Sequence, residues 1–237
     1  MSTVLGFLRA LAGAVVCMVF ATLTLITLPF NRNGIVFHAL ARGWARVLLF
    51  ICGVEVHVTG LDKLDRSKNY VYVSNHASLF DIPAVIGGVP DQIRIVYKRE
   101  LERIPLFGWG LKWGSYIGID RGKGTEAVRS LEKAAERIRK GASVLLFAEG
   151  TRTTDGRLQP FKRGAFNLAI KAGVPVIPLT VNGSYHILPK RSVSVRPGRV
   201  NLLLGTPILP EGGEGKGAEV RLMNEVHAAI EDNYIDQ

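Results

Sequence analysis

Hydrophobic positions fall into two regimes along this chain. From Ala10 to Phe30 the sequence ALAGAVVCMVFATLTLITLPF runs 21 residues without a charge. At 1.5 Å rise per residue, about 20 helical residues cross a hydrocarbon core ~30 Å thick, so this stretch can enter a bilayer. It is too long for a signal-peptide core and lacks a small-x-small cleavage site before Leu28-Pro29, which favours a retained anchor. A second apolar stretch, Gly34 to Val54, follows at once and carries Arg42 and Arg46 at i,i+4 spacing. Side chains so spaced share a helix face, and these two are expected to reach for lipid phosphates while Trp44, Leu48 and Phe50 stay in the apolar layer. Residues 1–54 therefore predict a helical hairpin that attaches the chain to a membrane. Arg9 and Arg32 flank the first helix on both sides, so a positive-inside count does not orient it.

After Val54 short apolar runs alternate with charged helical ones, the pattern of an α/β domain, here over residues 55–237. Val54–Gly60 alternates with period two, and Tyr70–Ser74, Ile93–Lys98 and Ser115–Asp120 read as further strands. Thr125–Gly141 places Ala127, Leu131, Ala134 or Ala135 and Ile138 on one helical face, with Gly141 at its end. SVLLF, from Ser143, is a buried strand ending at Glu149-Gly150, and FNLAIKA a helix closed by Gly173. Val174–Val181 is a strand whose Pro175 and Pro178 suggest an irregular or edge position. Ser192–Gly205 predicts a hairpin around Pro197-Gly198, and the segment after Gly217 a C-terminal helix. The expected fold is a mixed sheet flanked by helices, preceded by the apolar hairpin.

Composition narrows the partners. Thirty lysines and arginines against 20 acidic residues give a formal charge of +10, which suits anionic membranes, phosphorylated ligands or nucleic acid. Nucleic-acid binding leaves the apolar hairpin unexplained. Cys17 and Cys52, both inside apolar stretches, give no disulfide framework. His38, His57, His186 and His227 are scattered and form no metal-ligand pattern. No Walker-type Gly-Lys-Ser/Thr element or third dinucleotide-binding glycine is present, and no G-x-S-x-G elbow supports a serine nucleophile.

The candidate chemistry begins where the strand VYVS stops. His76 follows it, and Asp81 opens the next helix. On one continuous helix five residues separate two side chains by about 140°, so this pair meets only across a strand-loop-helix junction. A histidine whose second nitrogen is held by a carboxylate is a competent general base; the competing reading is a turn closed by His76 and a helix capped by Asp81. Glu149, Gly150, Thr151 and Arg152 follow the next buried strand, at the strand end where α/β proteins place ligands. There the glycine permits close approach and the arginine offers a fork for phosphate oxygens. From Arg94 to Lys123 seven cationic residues stand against three acidic ones, and Phe161-Lys162-Arg163-Gly164 repeats a basic grouping ahead of a helix.

Asn75-His76-Ala77-Ser78-Leu79-Phe80-Asp81 resembles the N-H-x-x-x-x-D motif of the bacterial 1-acyl-glycerol-3-phosphate acyltransferase family of glycerolipid acyltransferases. Ile119-Asp120-Arg121, Glu149-Gly150-Thr151-Arg152 and Val174-Pro175-Val176-Ile177-Pro178 resemble its second, third and fourth motifs, in order. The resemblance implies acyl transfer from acyl-CoA or acyl-carrier protein to a lysophospholipid at the cytoplasmic side of a cell inner membrane, without a further cofactor. It implies His76 as base and Asp81 as its orienting partner, with Arg121, Arg152 and Lys98 on the acceptor phosphate, Glu149 and Gly150 at its glycerol end, and Thr151 among the substrate-binding residues. Gly118 and Ala148 depart from the family's usual aromatic and proline, which admits another acceptor such as a lyso-ornithine lipid. A non-catalytic protein that binds anionic lipid is the alternative from a different class.

Overall fold

A computed structural model describes residues 3–30, 34–119, 125–139, 141–211, 213 and 215–236, with the backbone alone for 125–131. Among these, seven strands form one sheet: β1 (Val54–Thr59), β2 (Val71–Ser74), β3 (Ile93–Lys98), β4 (Ile117–Ile119), β5 (Ser143–Phe147), β6 (Val176–Asn182) and β7 (Gly198–Leu204). Their order is β1-β7-β6-β2-β5-β3-β4. Neighbours are parallel except β6 and β7, so the sheet is mixed, as the alternation of runs predicts.

Both faces of the sheet are covered, which is why β2 and β6 read as unbroken apolar runs. Period-two alternation assigns each residue its layer: Tyr70, Tyr72 and Leu145 join one core, Val71, Val73, Val144 and Leu146 the other. The first core lies under α1 (Thr3–Thr27), α2 (Ile35–Cys52), α3 (Asp81–Gly88) and α4 (Phe107–Trp113). The second lies under α5 (Thr125–Arg139), α6 (Gly164–Ala172) and α8 (Lys216–Glu231), a short α7 (Ser184–Ile187) intervening before β7. α5 buries Ala134, Ala135 and Ile138, and α8 buries Ala218, Leu222, Val226 and Ile230 at i,i+4 spacing.

The hairpin α1–α2 is present, and both helices are long and apolar enough to cross a membrane by length and composition. Small residues bring them together: a Cβ on Gly13 would stand 2.9 Å from Leu48, and one on Gly43 3.1 Å from Phe20. Arg42 does not reach outward as expected. Its Nη2 donates to the Val89 carbonyl at 3.1 Å, meeting the unsatisfied carbonyl end of α3. Leu48 is buried in the protein's own core, whereas Phe50 is exposed. Arg94, counted in the basic run, is also buried: Nη1 donates to Gly34 O at 3.1 Å and fastens the start of α2 to the sheet.

Two strand expectations fail for identifiable reasons. β6 is an interior strand, fully buried despite Pro178. Its pairing with β7 runs from Asn182↔Asn201 to Leu179↔Leu204, so Pro178 sits where that ladder ends and its missing donor costs nothing. Its carbonyl still accepts from Gly205 N at 2.8 Å. The hairpin around Pro197 does not form, because the limb before it bonds elsewhere: Val195 N donates to Gly6 O of α1 and Arg196 N to Ile187 O of α7.

Candidate active site

Why β2 stops after Ser74 is answered by Asn75. Its buried side chain donates Nδ2–H to Val181 O and accepts from Val181 N, each at 2.8 Å. The amide thus carries the β2–β6 ladder one step further than the backbone does, and the main chain is released from the sheet at His76. Ser78 shapes the turn that follows, donating Oγ–H to Leu188 O at 2.9 Å and accepting from Phe80 N at 3.2 Å.

Asp81 is fully buried at the first position of α3. Its Oδ2 lies 2.7 Å from His76 Nδ1 and accepts from the amides of Ala77 at 2.9 Å and Ser78 at 3.0 Å. These amides precede the helix, so Asp81 organises the turn and does not cap α3. A carboxylate partner assigns the imidazole proton to Nδ1 and leaves Nε2 as the proton acceptor. β2 and β5 are paired with Ser74 opposite Phe147, which brings the Phe147 ring under the imidazole, 3.9 Å between centroids and 14° from parallel. The histidine is therefore fixed both in its plane and about its ring.

The loop after β5 closes over the same turn. Glu149 Oε1 accepts from His76 N at 2.9 Å, and Thr153 N donates to His76 O at 2.9 Å. Glu149 is 3% exposed, and among the described residues its buried Oε2 has no hydrogen-bond partner. Burial pushes its carboxyl up to about 8; the His76 amide pulls the other way, and the Asp81 charge adds to the rise. Near pH 7 Glu149 is thus largely a neutral acid able to donate Oε2–H. The native state holds a proton there that the unfolded chain releases, so this stabilisation is complete below the ordinary value of 4.5 and is lost as pH rises through about 8. Glu149→Gln keeps an acceptor for His76 N and a neutral donor. We expect it to retain activity within about tenfold at pH 7 and to lessen the fall in melting temperature between pH 5 and pH 8.5. Loss of activity as complete as in Glu149→Ala would show that an ionised carboxylate is required.

Gly150 adopts φ +74°, and the Lys162 side chain lies over it, with Nζ 2.9 Å from where a Cβ would be. Lys162 belongs to the FKRG grouping noted in the sequence, but its place across Gly150 depends on a long-range bond, Lys162 N to Ala148 O at 2.8 Å, that no local pattern signals. Thr151 Oγ1 and the Arg152 carbonyl both accept from Lys190 Nζ, at 3.1 and 2.9 Å, which holds the loop in shape. Among the described residues no carboxylate forms an ion pair with Lys162 or with the Arg152 guanidinium, and Asp81 is a charge that Arg152 senses. Lys98 stands at the carboxyl end of β3, one strand beyond β5, with its ammonium on Glu100 at 3.0 Å. Arg121 lies outside the described residues.

An apolar cavity of about 360 Å³ begins at Leu79 and Phe80, between the dyad residues in sequence, and runs beneath α1 and α2 past Gly13 and Trp44. The two departures from the family pattern have local explanations. Tyr97 and Glu102, hydrogen-bonded to each other at 3.1 Å, fill the space above Gly118, where a Cβ would stand 2.8 Å from Glu102 Oε1. Ala148 donates its amide to Ser74 O at 3.1 Å, a bond proline cannot make.

A histidine-carboxylate dyad lies at the carboxyl ends of parallel strands, with Arg152 and Lys162 on the segment after β5 and an apolar cavity lined by Leu79 and Phe80 of the dyad's own turn, an arrangement of the kind in which α/β proteins take ligands with an anionic and an apolar part. The chain belongs to the acyltransferase family, whose model matches residues 55–182. It is 31% identical over 239 residues to a 1-acyl-sn-glycerol-3-phosphate acyltransferase of Pseudomonas aeruginosa, covering 99% of this chain and 90% of that one. A chloroplastic 1-acyl-sn-glycerol-3-phosphate acyltransferase of Brassica napus is 36% identical over 173 residues, 72% of this chain, which spans half of the plant protein's length. The crystal structure of PlsC, the 1-acyl-sn-glycerophosphate (LPA) acyltransferase of Thermotoga maritima, superposes with a TM-score of 0.79 at 26% identity, covering 98% of this chain and 95% of that one.

Proposed function

We propose that the protein moves a fatty acyl group from acyl-CoA or acyl-carrier protein to the free hydroxyl of 1-acyl-glycerol-3-phosphate, producing phosphatidic acid. The observation that carries this reading is the 2.7 Å contact between His76 Nδ1 and a fully buried Asp81. It leaves the Nε2 lone pair to take the proton of an acceptor hydroxyl, and Leu79 and Phe80 of the same turn line an apolar cavity suited to an acyl chain. As the hydroxyl oxygen bonds to the thioester carbonyl carbon, Nε2 takes its proton; the C–S bond then breaks and His76 returns that proton to the leaving thiolate. Asp81 stabilises the imidazolium between the two transfers. Arg152 and Lys162, with Lys98 at the carboxyl end of β3, hold the acceptor phosphate together with Arg121, which the family resemblance assigns to it, while Glu149, Gly150 and Thr151 flank the glycerol. Residues 1–54 attach the catalytic domain, residues 55–237, to the cytoplasmic face of the inner membrane, where a thioester donor and a one-tailed lipid meet.

Thiol release with a panel of acceptors tests this. Lysophosphatidic acid is expected to outperform lyso-ornithine lipid, and Arg152→Ala and Lys162→Ala each to raise KM for lysophosphatidic acid about 10-fold or more, the scale of one charge-assisted hydrogen bond, with little change for the phosphate-free acceptor. Equal KM for both acceptors would remove the phosphate assignment. Vesicle binding without thiol release from any acceptor would favour the non-catalytic alternative.

A further inference from the structure

Outside the hairpin, the 3-10 turn Arg99–Arg103 and α4 form a second apolar surface. Leu101, Ile104, Trp109 and Trp113 are exposed by 37, 45, 41 and 55%. Trp109 and Trp113, four residues apart on α4, place their rings on one face with centroids 6.2 Å apart. Lys112 Nζ lies 5.9 Å from the Trp113 ring, and Arg103 is exposed next to Ile104. The backbone is built to present these groups. Leu106 turns the chain at φ 60°, ψ −62°, and Gly108 packs so tightly that a Cβ would meet the carbonyl oxygens of Leu101 and Glu102 at 2.4 and 2.6 Å.

Two observations indicate what covers this surface. α4 packs against α1, with Gly110 facing the Ala21 carbonyl and Thr24, so the tryptophans stand on a helix seated directly against the apolar α1, which itself exposes Met18 and Ile26. Indole rings edged by lysine and arginine are also the combination that partitions to the headgroup boundary of an anionic bilayer. On its inner side the same unit lines the cavity through Phe107 and Leu111. We propose that residues 101–113 are a second membrane contact, an interfacial platform lying in the boundary of an anionic bilayer beside α1 and setting the depth at which the cavity meets lipid. This rests on the reading of α1–α2 as membrane-attached and deepens it.

The test uses the full chain in phosphatidylglycerol vesicles whose acyl chains carry bromine near the headgroup, comparing wild type with Trp109→Phe/Trp113→Phe, which leaves Trp44 as reporter. The emission lost in the double variant is expected to be quenched by at least half in brominated vesicles and to resist aqueous iodide. Quenching by iodide instead would place the platform in water; insensitivity to both would place it in a contact with a second copy; either result overturns the proposal. Trp109→Ala/Trp113→Ala is further expected to raise KM about tenfold for vesicle-borne lysophosphatidic acid, with no change for detergent-dispersed acceptor, and equal KM values in vesicles would count against it. A wild-type chain that fails to bind vesicles would refute the membrane reading itself, whereas a bound chain with unquenched tryptophans would refute only the platform.

Discussion

Replacing His76 with alanine is expected to lower kcat for acyl transfer by about 10²–10⁴-fold, the range over which a positioned general base contributes. Every local feature of the site holds this imidazole: Phe147 stacks on its face, Asp81 takes Nδ1, and Glu149 Oε1 and Thr153 N bond its own backbone. The backbone bonds survive truncation, so the turn is expected to persist. On the proposed mechanism what disappears is the group that accepts the hydroxyl proton, an effect on kcat with little on KM. Because alanine also strips a buried carboxylate of one partner, His76→Asn serves as companion: its amide can still donate to Asp81 but has no basic nitrogen. Thiol release and melting temperature measured on both variants decide the matter. Either one retaining wild-type turnover while folded and vesicle-bound would end the general-base mechanism.

The dyad was legible in the sequence because its geometry is local: a strand end, a short turn and a helix start leave little freedom, and the spacing itself excludes a single helix. The hydrophobic alternation gave the layers for the same reason, since neighbouring residues of β2 belong to opposite cores. What was not legible depends on partners distant in the chain. The bonds of Asn75 to Val181 span 106 positions, and the approach of Lys162 to Gly150 requires the loop after β5 to fold back on itself. Pro178 misled because proline marks an edge only where a donor is needed, and whether β7 continues beyond Leu204 is a property of β7. Arg42 and Arg94 misled in a similar way. Both look like surface cations by composition, and each is spent on a carbonyl at the seam between hairpin and sheet.

Changing Asp81 to asparagine is expected to reduce kcat by a comparable 10²–10⁴-fold while leaving the fold largely intact, because asparagine separates the two tasks of this carboxylate. As acceptor, Oδ2 gathers three donors, His76 Nδ1 and the amides of Ala77 and Ser78. An amide oxygen in the same place can receive all three, and the new amino group would replace Oδ1, which has no hydrogen-bond partner among the described residues. As a charge, the carboxylate in the proposed mechanism stabilises the imidazolium that forms when the hydroxyl proton is taken, and asparagine cannot. Asp81→Ala removes both functions, leaves two buried amides unpaired and is expected to cost about 2–5 kcal/mol of stability as well as activity. Chemical denaturation of the two variants beside their kcat values separates the roles: stability lost only in the alanine variant, turnover lost in both. A second consequence follows for Glu149, whose carboxyl is held high partly by the Asp81 charge. Removing that charge lets Glu149 ionise at lower pH, so the asparagine variant is expected to lose less stability than wild type between pH 5 and pH 8.5. An unchanged pH profile would mean that burial alone governs Glu149, and turnover at the wild-type rate would mean that His76 works without an anionic partner.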